Sequence, residues 1–581
     1  MNFFSLLSSV VVASFLLATA HADVTMPAIF GDHMVMQQGT SLPIWGEADP
    51  GERVTVKFVG QQAMTTARKD RQWRVNLQTV YLRSSPDVLM VDGKNHLEFS
   101  DVIMGDVWLC SGQSNMAFPL READGGETAI IHAEDGQLRF FVVPEKQAFQ
   151  PQHQMEGSWE RCSPEAAAGF SAIGYFFGRD LRMATGMPVG LIGSYCGGSS
   201  AQAWMSLPAL QQSPSFSHYL AEYYQGARDF SKNQDTYSQR KMDYEQELAA
   251  WEEQVGTPYQ EELATWKLKC KEACSKLWAQ PLKPDPLSQK PTPPLPPDGG
   301  VTAPTLLFNA MIAPLIPYAM TGVIWYQGES NENRKSQHSW MAQFENNSVD
   351  STVFSVFEYR RLFQRLIRSW RVAWGEGPFP FYFVSLAGFR KSTFDPVEML
   401  MDDEGGLNPC WAWLREGQAV ALSLPETGMA VATDIGNPND IHPKDKLDVG
   451  RRLALLARKN LYGQQVVASG PTYCSMKQEE KKIRLTFNDV GKGLTVAAPP
   501  WRYDGTIVMP LSLQGFAIAG DDRHWYDAVA LIEGSDIIVS SEFVLKPTAV
   551  RYNWKDNPTG NLYNKEGLPA ASFRTDLDQP K

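Results

Sequence analysis

Apolar residues fall along this chain in three regimes. From Asp23 to about Ser100 they alternate with polar ones in short runs, such as Arg53-Val54-Thr55-Val56-Lys57-Phe58-Val59 and Trp73-Arg74-Val75-Asn76-Leu77, separated by Gly and Pro turns. Period-two alternation puts one face of a segment in a core and the other in water, so residues 23–101 are predicted to form a small β-sandwich-like domain. From about Val102 short unbroken apolar runs alternate with helical patterns, which predicts a three-layer α/β/α unit around a mainly parallel sheet whose strands are buried on both faces. Strands are expected at Asp106 to Cys110, Val189 to Ser194, Gly322 to Tyr326, Phe379 to Leu386 and Met429 to Thr433. Helices are expected between them, notably Glu358 to Trp374 and Lys444 to Tyr462, the second carrying basic residues late and stopped by Gly463.

The α/β pattern is interrupted once, dividing it into 102–206 and 301–463. Residues 207–300 hold a Glu/Lys/Gln-rich helical stretch from Gln234 to Gln280 and then a proline-dense tract from Pro281 to Pro297. Helices followed by semi-rigid polyproline make an external hairpin and return arm, read here as a solvated decoration with oligomerisation or gating as alternatives. After Gly463 alternation returns, as in Ile483-Arg484-Leu485-Thr486-Phe487 and Ala528 to Val539, predicting a second β domain over 464–581.

Composition narrows the partners. The 53 Lys and Arg against 65 Asp and Glu give a net charge of −12, which disfavours a general affinity for nucleic acid or anionic membranes. The apolar run of residues 6–20 followed by Ala20-His21-Ala22 fits a cleaved signal peptide over 1–22 and an exported protein, periplasmic or extracellular, although no Lys or Arg precedes the run; an uncleaved anchor is the alternative. No other stretch reads as membrane-spanning. Seven cysteines are too few and scattered for a disulfide scaffold, and Cys270 and Cys274 read as helix-face thiols with no zinc site.

Candidate chemistry begins at Gly112-Gln113-Ser114-Asn115-Met116, which follows the strand pattern and opens a helix. A serine at such a turn projects from the carboxyl edge of the sheet, where α/β folds bind ligands, and the first helical amides face developing negative charge. Serine is a weak nucleophile without a base. Of nine histidines only His442 lies just past the last core strand, in the turn-rich loop Asp434 to Pro443. Asp440 is placed to set the His442 tautomer and stabilise its imidazolium, in the order Ser, Asp, His. Oxyanion donors are sought in two strand-end loops, Gly193 to Ser200 and Trp325 to Asn331, where the glycines admit close backbone approach and the Gln327 amide can donate. Trp325, Trp411 and Trp413 suit either sugar stacking or the core, with core the better reading, and Glu416 and Gln418 sit on a helical segment where packing suffices to explain them.

The blocks Gly-Gln-Ser-Asn-Met at 112–116, Gly-Gly-Ser at 197–199, Trp-Tyr-Gln-Gly-Glu-Ser-Asn at 325–331 and Asp-Ile-His-Pro at 440–443, in this order, resemble the sialate O-acetylesterases, a carbohydrate-esterase branch of the SGNH hydrolases. The resemblance implies an SGNH-type core flanked by N-terminal and C-terminal β domains, with Ser114 as nucleophile, His442 as base and Asp440 as orienting acid. It further implies Ser114, Gly198 and Gln327 as oxyanion donors, with Gln113, Asn115 and Glu329 supporting them. SGNH members commonly place Asp three residues before His, where this chain has Asn439, so Asp440, Asp434 or a Ser–His dyad remain open. The implied activity is hydrolysis of sugar O-acetyl esters through an acetyl-enzyme, with an O-acetylated carbohydrate as the substrate and no cofactor. The alternatives are a xylan or xyloglucan acetylesterase of the same mechanism, a non-catalytic carbohydrate-binding protein, and a peptidase or lipase.

Overall fold

The computed structural model describes residues 23–81, 83, 85–259, 261–262, 264–266, 269, 299–332, 351–389, 410–497 and 512–576. The expected signal segment 1–22, the proline tract 281–297 and Cys270 and Cys274 lie outside the described residues.

A single long strand, β1 (His96–Gly112), organises the molecule. Its first half alternates in burial and pairs antiparallel with Asp87–Asp92, as part of the N-terminal β layer. Past Asp101, which bends the chain at φ 55°, it is buried on both faces and becomes the centre of a parallel sheet. The strand therefore runs straight across the boundary expected at 101/102.

The other core strands are β2 (Asp135–Val142), β3 (Trp159–Cys162), β4 (Val189–Tyr195), β5 (Gly322–Tyr326), β6 (Phe381–Val384) and β7 (Thr427–Ala430), arranged in the order β7-β6-β5-β1-β4-β2-β3. All pairings are parallel except that of edge strand β3 with β2. β2 and β3 are absent from the sequence expectation: β2 opens on the turn-like Asp135-Gly136-Gln137, of which Gly136 and Gln137 are exposed, and only its second half is apolar.

Helices cover both faces. Trp108 packs edge-on against Phe177 of α2 (Ala172–Thr185) and stacks on Tyr382, and on this same side α6 (Lys446–Asn460) meets α2 where Gly450 leaves no room for a Cβ beside Phe176. On the opposite face Trp325 packs against Phe363 and Trp370 of α4 (Ser351–Trp374), which lies along α5 (Cys410–Ala419). Trp325, Trp411 and Trp413 are all buried in this core. The helix of the interruption, α3 (Ser217–Trp251), begins earlier than its Glu/Lys/Gln-rich part and is not wholly external: Tyr219 and Tyr223 are buried, and Tyr219 donates to Glu358 of α4 at 2.9 Å.

After α6 the chain builds two four-stranded antiparallel sheets whose inward residues, Ile483, Leu485, Ile537 and Val539 with Phe516, Ile518, Val550 and Tyr552, share one core. This region is tied into the α/β unit by buried polar contacts. Asp434 receives two 2.7 Å hydrogen bonds from Arg452 and one from the Tyr563 hydroxyl at 3.1 Å.

Two substitutions test this frame. Gly112 sits at φ 134°, and a Cβ there lands 2.1 Å from the Tyr326 carbonyl oxygen, so Gly112→Ala must part β1 from β5 and is expected to cost roughly 1–3 kcal/mol, read as a lowered melting temperature. Arg452→Met leaves Asp434 buried without its cation and is expected to cost about 3–5 kcal/mol, read from the denaturant midpoint.

Candidate active site

The carboxyl ends of β1, β4, β5 and β7 bring together four loops. Ser114 is the first residue of the short helix α1 (Ser114–Ala117), immediately after the Gly112-Gln113 turn. Gln113 is held on both sides: its amide donates to Tyr326 O at 2.9 Å, and its side-chain oxygen accepts from Gly328 N at 3.2 Å and Ser330 N at 3.4 Å. The loop after β4 is anchored to the same turn by Cys196 N donating to Gly112 O at 3.0 Å.

His442, 328 positions away in sequence, places Nε2 2.9 Å from Ser114 Oγ. Burial lowers its pKa below the ordinary 6.5, the Lys446 cation lowers it further, and Asp440 opposes them. The imidazole is therefore neutral at neutral pH, the state a general base needs. Asp440 is exposed; its Oδ1 accepts the backbone N–H of His442 at 2.9 Å and stands 3.7 Å from Nδ1, beyond a hydrogen bond. Asp434, the other acid considered, is committed to Arg452 and Tyr563 and does not reach His442 as its partner.

The structure corrects the expectation for Gln327. Its side chain is buried, both amide hydrogens are used, by Ser199 O at 3.1 Å and Asn331 Oδ1 at 2.7 Å, and its oxygen accepts from Tyr359 at 3.2 Å. With two donors and two committed acceptors it has no hydrogen left for an oxyanion. Gln327 instead braces the loop after β4. The backbone supplies donors better: Gly197 abuts the Ser114 side chain, and the exposed Gly198 amide, at φ 71°, has no partner among the described residues. The Ser114 amide is a first-turn helical N–H, of the kind a helix leaves unsatisfied.

Asn115 and Glu329 do sit beside Ser114. Asn115 Nδ2 donates to Glu329 Oε1 at 2.6 Å and to Ile441 O at 3.0 Å, and its Oδ1 accepts from Lys446 Nζ at 2.6 Å. Glu329 is buried with Oε2 unpaired, and desolvation raises its pKa. Lys446 is fully buried, its ammonium 4.7 Å from the centre of the Phe118 ring and 5.8 Å from that of Tyr326; burial pushes it down to about 7 against the pull of Glu329, Asp445 and Asp440. Lys446 and Tyr359 join the site from outside the candidate residues, and Asn331, the last residue of the 325–331 block, joins it by accepting from Gln327. For Lys446 a signal existed, since it falls on the apolar stripe Lys446, Val449, Gly450, Leu453 of α6, where a surface lysine is out of place. Gln418 also does more than pack, donating to Gln327 O and Val384 O, both at 3.1 Å. Glu416 bonds Arg574 from the C-terminal region at 3.2 Å.

This arrangement is a serine with a neutral imidazole on its oxygen and free backbone amides beside it, the parts an acyl-transfer site requires. Among the described residues no cluster of His, Cys, Asp and Glu is arranged to hold a metal. No family model matches the chain. It is 27% identical over 591 residues to the sialate O-acetylesterase of Mus musculus, covering 93% of this chain and 92% of that one. Against the sialate O-acetylesterase of Homo sapiens it is 26% identical over 474 residues, covering 75% and 71%. Among solved structures, a carbohydrate acetylesterase from Xanthomonas citri superposes with a TM-score of 0.71 at 33% identity, covering 96% of this chain and all of that one (100%). With its fold and nearly its whole length shared with the Xanthomonas citri enzyme, and with similarity to the sialate O-acetylesterases along most of the chain, the protein belongs to the carbohydrate acetylesterases and is a carbohydrate O-acetylesterase.

Proposed function

We propose that Ser114 and His442 carry out this hydrolysis through an acetyl-enzyme, on an SGNH-type core. The observation that carries the reading is the 2.9 Å contact between Ser114 Oγ and His442 Nε2 at the carboxyl edge of the sheet. Supporting the core assignment, the four sequence blocks at 112–116, 197–199, 325–331 and 440–443 converge on that one edge.

As Ser114 Oγ attacks the acetyl carbonyl, His442 Nε2 takes its proton. The carbonyl oxygen gathers negative charge between the Ser114 and Gly198 amides, each such donor typically lowering the barrier by about 3–4 kcal/mol. Collapse breaks the bond to the sugar oxygen, which leaves with the proton from His442; water, deprotonated by the same imidazole, then attacks acetyl-Ser114, releasing acetate and restoring the hydroxyl. Asp440 holds the His442 backbone and faces Nδ1 across 3.7 Å, a separation of the kind that tightens when substrate enters. The relatives named sialate O-acetylesterase favour an O-acetylated sialic acid as the sugar. We also read the apolar segment 6–20 as directing export.

Ser114→Ala is expected to lower acetate release from O-acetylated sialosides by at least about 10³-fold. Activity unchanged in that variant would rule out the nucleophile, whereas release from acetylated xylan but not from sialosides would keep the mechanism and change the substrate. Because His442 acts as a base and its pKa is lowered, the acid-side decline of kcat/KM, where His442 takes up a proton, is expected to have its midpoint below pH 6.5. A decline centred above 6.5 would contradict the neutral imidazole.

A further inference from the structure

Behind the Ser114–His442 pair lies a buried cation that the acyl-transfer chemistry does not itself call for. Lys446 has 0% exposure, and its ammonium donates a 2.6 Å hydrogen bond to Asn115 Oδ1, with the Phe118 and Tyr326 rings beside it. Among the described residues no carboxylate comes within ion-pair distance of it: Glu329 is on the far side of the Asn115 amide. A buried lysine without a contacting anion costs stability.

The neighbours show what it acts on. Asn115 is the residue after the nucleophile, and the amide that Lys446 orients donates to the carbonyl of Ile441, the residue before the base. Phe118, whose ring lies 4.7 Å from the ammonium, also lies 6.4 Å from the His442 ring at 32°. The titratable groups facing this cluster are Asp440 and Asp445 from the loop around His442, Glu329 from the loop after β5 and Tyr326 from β5; α1 and the residue after it add only the neutral Asn115 and Phe118.

Resting on the Ser114–His442 reading above, we propose that Lys446 is a positioning residue: through Asn115 it locks the nucleophile turn to the histidine loop, and its positive charge keeps His442 in the uncharged form that accepts the serine proton. A cation in a poorly solvated site disfavours a second cation nearby, so the effect acts on the free enzyme before any substrate binds. The lowered basicity of His442, with Lys446 among its causes, is in accord with this.

The test measures the acid limb of kcat/KM for 4-nitrophenyl acetate, together with the pH dependence of Ser114 sulfonylation by phenylmethylsulfonyl fluoride, which needs the same base and no sugar. In that reaction Ser114 Oγ bonds to sulfur, fluoride leaves and His442 takes the proton. Lys446→Gln removes the charge while keeping an amide donor; both acid limbs are expected to move up by roughly 0.5–1 pH unit. Lys446→Arg keeps the charge and is expected to leave both limbs at the wild-type position even where kcat falls. In Lys446→Ala, ethylammonium supplied from solution is expected to return the raised limb toward wild type. Limbs unmoved in Lys446→Gln, or moved equally in Lys446→Arg, would overturn the proposal, and melting curves separate these effects from loss of fold. Failure of the underlying reading looks different: Ser114→Ala would still hydrolyse the ester, or mass spectrometry would find the sulfonyl group on another residue.

Discussion

A buried carboxamide has two hydrogens and an oxygen to satisfy, and Asn115 satisfies them with three separate segments of the chain: Glu329 after β5, Ile441 before the histidine, and Lys446 at the start of α6. An unpaired group in such a place costs about 1–3 kcal/mol, so the three loops are held to one another by the need to keep this amide bonded. Ser114 is the residue before it in the chain, and His442 follows one of its acceptors. The 2.9 Å contact between them is in this sense a by-product of satisfying Asn115. Gln113 repeats the device two residues earlier, pinning the turn to the loop after β5.

Charge is handled in two ways on the same helix. Arg452 and Lys446 both belong to α6 and both are buried. Burial disfavours the charge on Arg452, but the Asp434 carboxylate, bonded to it twice, more than offsets that and keeps it protonated. Lys446 meets a neutral amide instead, with Glu329 on the other side of that amide, and burial wins, bringing its pKa down to about 7. The difference lies in whether the counter-ion touches. One pair is a brace for the loop, while the other leaves positive potential next to the imidazole.

That brace also explains why the C-terminal region belongs to the catalytic unit. Tyr563 bonds the same Asp434, Arg574 reaches Glu416 of α5, and Arg415 donates to the Lys555 and Asp556 carbonyls. The loop carrying His442 is thus set from beneath by residues that arrive more than a hundred positions later in the chain. Likeness to the Xanthomonas citri acetylesterase over 96% of the chain fits a unit conserved as a whole in architecture.

Much of this is legible in the residue pattern alone. Unbroken apolar runs marked β1, β4, β5 and β6, and the strand-to-helix turn at Gly112 to Met116 marked the serine, because burial on both faces and a forced glycine leave direct traces in residue type. The histidine of the turn-rich loop at the end of the last core strand, which meets that serine, is equally legible. Hydrogen-bond capacity was not. Gln327 reads as a free donor in sequence and is spent in space on Ser199 and Asn331, Asp434 reads as a candidate acid and is bound by Arg452, and Lys446 reads as one more helix lysine. Sequence by itself determined which chemical groups line the sheet edge, since that follows from local periodicity and turn chemistry. Only the tertiary structure decided which of those groups are already bonded to one another, because a partner hundreds of residues away leaves no mark on the segment it satisfies.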